Sequence, residues 1–103
     1  MRYYALEKLI NLHDGYRKTF KIDDHHLLLV QEEGERFLVE SFCPHREHSL
    51  LEATIFGDTI TCPHHHYQFN LSSGAVLAST EEPCRGLRVY SLVEEAREVG
   101  VVL

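Results

Sequence analysis

Cys43-Pro44-His45 and, sixteen residues further on, Cys62-Pro63-His64-His65 are the two segments that decide what this chain can fold around. Each brings one thiol and one imidazole, in a CxH and then a CxxH. With three cysteines and eight histidines in 103 residues, such a pair of matches arises by accident roughly a few per cent of the time, before the gap is constrained. Structural zinc sites tend to take two cysteines from one loop and two ligands from another. Loops that each mix sulfur and nitrogen suit a two-metal centre, each loop giving its cysteine to one metal and its histidine to the other. The odd, low cysteine count argues against a disulfide scaffold and turns attention to metal ligation or free thiols. Five of the eight histidines, His45, His48, His64, His65 and His66, fall in this one stretch.

Outward from the two segments, Asp14-Gly15, Glu33-Gly34, Gly57-Asp58 and Ser73-Gly74 are turn signals between short apolar or alternating runs. The runs predict strands over about 17–22, 26–32, 36–42, 59–62, 88–93 and 98–103. Short strands between tight turns imply an all-β chain, an antiparallel sandwich or barrel. Ala5, Leu6, Leu9 and Ile10 have helical spacing but read better as a strand followed by one turn. Residues 93–99 are rich in helix formers, yet fit a hairpin connection.

A length of 103 residues is one domain's worth of chain. It buries roughly two-thirds of its unfolded surface, so a bound inorganic centre would add usefully to the core. Ten Lys and Arg against sixteen Asp and Glu give a formal charge of −6, which argues against a nucleic-acid partner. The start, Met1 to Ile10, is broken by charges and has no signal-peptide pattern, and no apolar stretch is long enough for a bilayer. The expectation is a soluble, cytoplasmic protein.

The segments CPH and CPHHHYQFNLSSG resemble the two cluster-binding loops of Rieske-type [2Fe-2S] ferredoxins, the soluble, low-potential, oxygenase-associated kind, down to Phe69 and the Ser73-Gly74 turn. The lead-in stretches DGYRKTF, LLLVQ and FLVES, and the closing GLRVYSLV and EVGVVL, resemble that family's flanking strands, so the likeness covers nearly the whole chain. It implies a Rieske-like antiparallel β-sandwich or barrel with a small cluster-binding subdomain. That would be one domain over residues 1–103, with cluster loops at about 43–48 and 62–70. It also implies one Rieske-type [2Fe-2S] cluster, with Cys43 and Cys62 on the inner iron and His45 and His65 on the outer. Each of those imidazoles would keep its second ring nitrogen near solvent, as the exit edge for an electron.

Several positions depart from the pattern. Glu47 and His66 stand where that family usually has small residues, often glycine, so local adjustment with retained binding is expected. The run His64-His65-His66 leaves the register open, although only His65 has the CxxH offset. High-potential members carry an interloop disulfide at the places held here by His48 and His64. They also donate serine and tyrosine hydroxyls to the cluster and its cysteine from the places of Tyr67 and Phe69. With fewer such bonds, the potential is expected near the low end of the Rieske range, roughly −150 mV rather than about +300 mV.

The function implied is one-electron carriage from a flavin-containing reductase to a terminal oxygenase, through small, transient interfaces around His45 and His65, with no turnover of its own. Two alternatives use the same residues: a Rieske-like small subunit of an NADH-dependent nitrite reductase, and a zinc-stabilised interaction module with a Cys2His2 site. Cys84 reads as a buried or half-buried thiol without a redox role. His48, His64 and His66 read as the rim of the centre, His13, His25 and His26 as surface or turn residues, and the paired acids as solvated.

Overall fold

Leu27-Leu28-Leu29-Val30 is an unbroken apolar run, and all four side chains are buried in the computed structural model, which describes residues 1–44, 47–80 and 82–103. A strand points successive side chains to opposite faces, so this run has to be covered on both sides. The strands of the described residues are β1 (Tyr3–Lys8), β2 (Arg17–Ile22), β3 (His25–Glu32), β4 (Glu35–Glu40), β5 (Thr54–Phe56), β6 (Thr59–Thr61), β7 (Gln68–Asn70), β8 (Val76–Ala78), β9 (Val89–Tyr90), β10 (Val93–Glu95) and β11 (Glu98–Val102).

They form three antiparallel sheets, ordered β2-β3-β4-β9, β1-β11-β10 and β5-β6-β7-β8. The first is the middle layer. On one face Leu27, Leu29 and Leu38 pack with Val99 and Val101 of β11. On the other, Leu28, Val30, Phe37 and Val39 pack with Ile60 and Phe69 of the small β5–β8 sheet, and with Cys43 and Cys62. The alternation of β3 and β4 thus divides the interior into two cores. The second core carries the two cysteines at its edge.

The expected strands appear close to their predicted limits. The first ten residues are a strand with one turn, β1 followed by a 3-10 turn at Leu9–Asn11, and β10-β11 is the expected hairpin. The run 88–93 divides into β9 and β10, because the chain leaves the middle sheet after Tyr90 and joins the outer one at Val93. Patterning misses β5, β7 and β8, each three residues long, although it finds the equally short β6.

Gly74 secures the small sheet to the segment that follows. Its φ is 78°, and the Leu87 amide donates to its carbonyl at 2.7 Å. A Cβ at this position would lie on the Leu87 carbonyl. Gly74→Ala is therefore expected to destabilise the fold by about 2–4 kcal/mol, from a left-handed alanine and a backbone clash together. Urea unfolding of parent and variant measures this.

Candidate metal centre

After β4 an isolated bridge between Phe42 and Ser49 pinches off a first loop, and the β6-β7 hairpin carries a second. The two close in the same way. The Cys43 amide donates to the His48 carbonyl at 2.7 Å, and the Glu47 amide donates to the Cys43 carbonyl at 2.7 Å. In the other loop the Cys62 amide donates to the Tyr67 carbonyl at 2.8 Å, and the His66 amide to the Cys62 carbonyl at 3.0 Å. Such closure brings the residue four places after each cysteine into the left-handed region, with φ of 56° at Glu47 and 59° at His66. These are the two departures from the glycine pattern. The adjustment consists of keeping the glycine-like backbone under a larger side chain, at about 1–2 kcal/mol each.

Each loop begins with its cysteine, and both cysteines are buried in the second core, beside Leu50, Ala53 and Tyr67. No disulfide joins the cysteines. Of the three consecutive histidines only the middle one turns inward. His64 and His66 are exposed, whereas His65 is half-buried and its Nδ1 is buried. His45, the fourth residue implied by the resemblance, lies outside the described residues. Among the described residues no three Cys, His, Asp or Glu side chains are grouped as a site for a single ion.

The loops meet through imidazoles. The rings of His48 and His64 stack at a centroid distance of 3.9 Å and 23° between planes, and the His48 ring lies 5.6 Å from that of His65. His13, His25 and His26 are exposed elsewhere, each with its ring edge-on to Tyr16, Tyr90 or Phe42.

A third segment straps the second loop. The Thr80 hydroxyl donates to the His65 carbonyl. The Tyr67 hydroxyl donates to the Glu82 carbonyl and accepts from the Glu82 amide at 2.8 Å. The far end is held by Glu40 at the end of β4, whose carboxylate receives both nitrogens of a bidentate Arg85, at 2.6 and 2.9 Å, and the Arg88 amide at 2.9 Å. Between these anchors the half-buried Cys84 packs against the core that contains Cys43 and Cys62. Burial pushes its thiol pKa up, against the opposing pull of Arg85. Sequence reading weighed Tyr67 only for the hydroxyl bond it lacks toward the centre, and missed Thr80, Glu82 and Glu40. Their partners stand 15 or 45 residues away, beyond any local signal.

Tyr67 has one hydroxyl proton, and it goes to Glu82. Phe69, fully buried in the core, has none to give. Two buried thiols and an inward-facing imidazole nitrogen, with the adjacent hydroxyl turned elsewhere, form a soft sulfur and nitrogen donor set that fits an iron–sulfur centre.

Residues 2–91 match the family model of the Rieske [2Fe-2S] domain. Over 65 residues the chain is 34% identical to the ferredoxin component of an alkene monooxygenase system from Xanthobacter autotrophicus, covering 62% of this chain and 53% of that relative. The match thus spans about half the length of the curated relative. Among solved structures, the ferredoxin of carbazole 1,9a-dioxygenase from Nocardioides aromaticivorans IC177 superposes with a TM-score of 0.82 at 24% identity, over 98% of this chain and 97% of that one. A chain from a complex of reduced oxygenase and oxidized ferredoxin in carbazole 1,9a-dioxygenase superposes with a TM-score of 0.82 at 23% identity, over 96% and 100%. These likenesses bear out the all-β antiparallel fold. Among the described residues no helix is long and apolar enough to cross a membrane.

Proposed function

Because the chain belongs to the Rieske [2Fe-2S] domain family, we propose that it carries single electrons from a flavin-containing reductase to a terminal oxygenase, its cluster held by Cys43, His45, Cys62 and His65. When bound, one [2Fe-2S] cluster supplies reversible one-electron exchange. The rest of the work falls to the chain.

Cys43 and Cys62 present their sulfurs from a core closed to solvent, which keeps water from the thiolates. His65 has Nδ1 turned inward while the residue stays half-exposed, so its ring spans the short distance from the interior to the surface. That gives a partner an approach without any opening of the fold. The observation that carries this reading is the identical closure of two loops around buried cysteines, with the middle histidine of the triplet turned in. The likeness to the ferredoxin component of an alkene monooxygenase system and to the ferredoxin of carbazole 1,9a-dioxygenase favours a carrier over a nitrite reductase subunit. The net charge of −6 would steer encounters with basic partner surfaces in a salt-dependent way, and brief contact suits a carrier that must release both partners. In this role the protein has no catalytic residues of its own and works in the cytoplasm.

The purified protein is expected to be coloured, to contain iron and acid-labile sulfide in equal amounts, and to give the EPR signal of a histidine-ligated cluster after dithionite reduction. Its midpoint potential is expected near the low end of the family range, roughly −150 mV, since Tyr67 spends its proton on Glu82. Colourless protein carrying zinc overturns the assignment.

A further inference from the structure

We propose that His48 and His64 form a stacked imidazole clasp that fixes the separation of the two ligand loops and orients the His65 ring, making them positioning residues for the centre. The inference rests on the ligand assignment above and deepens it.

Among the described residues the loop-closing backbone hydrogen bonds join Cys43 with His48 and Glu47, and Cys62 with Tyr67 and His66. A centre bridged between the two loops needs their spacing held to a fraction of an ångström. The ring contacts supply a restraint that crosses from one loop to the other. His48 is the residue whose carbonyl shuts the first loop, and His64 stands between Cys62 and His65 in the second, so their stack at 3.9 Å joins the frames near the ligand positions. His48 also lies at 38° to the His65 ring, 5.6 Å away. One imidazole thus touches both its partner in the clasp and the side chain that faces inward. The exposure of His64 agrees with this, because an imidazole with no role in the interior gains little from lying flat on a neighbour unless the pair itself is stabilising.

The experiment follows the visible absorbance of the oxidised holoprotein under excess EDTA, together with the EPR g-values of the reduced form. His48→Ala and His64→Ala are each expected to lose the cluster about 3- to 10-fold faster, the range an aromatic pair is worth. The double variant is expected to lose it no faster than the worse single one, since both remove the same contact. His48→Phe keeps a flat ring and is expected to return the rate and the g-values toward those of the parent. His64 is exposed, so its alanine variant tests the clasp even if His48→Ala does not fold. Single variants that release iron at the parent rate overturn the clasp. So does a double variant whose acceleration is the product of the two singles, or a His48→Phe protein as labile as His48→Ala. A parent without visible absorbance would instead sink the ligand assignment, leaving the two failures distinguishable.

Discussion

Cys62→Ala is expected to purify without colour, its iron content reduced at least about tenfold, while Cys84→Ala keeps its full visible spectrum. Cys62 has no solvent exposure and lies in the same core as Cys43. Alanine there removes a thiolate ligand and leaves a small void in the core that holds Leu50, Ile60 and Tyr67. Loss of the centre also removes its contribution to folding, so the thermal midpoint falls by more than the void alone would cause. Cys84 packs against the same core, but it sits in the strap between Glu82 and Arg85, outside the two closed loops. Cys43→Ala is expected to behave as Cys62→Ala does. Iron and sulfide analysis of the three variants tests this directly, and a coloured Cys62→Ala protein would contradict the assignment of that residue.

His65→Cys has the second large effect, with colour retained. An added thiolate brings negative charge to the iron that imidazole served, so the reduced state becomes harder to reach. The midpoint potential should move from roughly −150 mV toward about −400 mV, the value of clusters ligated wholly by cysteine. The visible spectrum and EPR g-values should move the same way. His66→Cys, at an exposed position with φ of 59°, should leave the potential where it was. His64→Cys should change how fast iron is lost, and leave the potential within a few tens of millivolts, on the order of what a changed neighbour rather than a changed ligand produces. Protein-film voltammetry of the three variants reads out the register of the histidine triplet. If the large shift falls on His64→Cys or His66→Cys, the inward residue is not His65.

β2, β3, β4 and β11 are legible in the sequence and appear close to where alternation or continuous apolar runs put them, and the short β6 falls within its predicted run 59–62. β5, β7 and β8 are held by pairing across hairpins instead of by composition, and only tertiary context creates them. The cysteines and histidines could be picked out because each loop keeps its pair within a few residues. The strap over the second loop could not, since Tyr67 with Glu82, Thr80 with His65 and Glu40 with Arg85 are meetings of distant segments. Glu47 and His66 stood out in the sequence as irregularities. In three dimensions they are regular, because the pattern constrains a backbone conformation that glycine adopts cheaply and other residues can be made to adopt.

The matched closure of the two loops bears on how such a molecule would be matured. Each latch is fastened to its own main chain, so the shape of either half is settled as soon as the polypeptide has folded around it. Cofactor delivery then meets two finished jaws already joined by the stacked imidazoles, with the entropy of ordering them met beforehand and little left for the incoming iron and sulfide to organise.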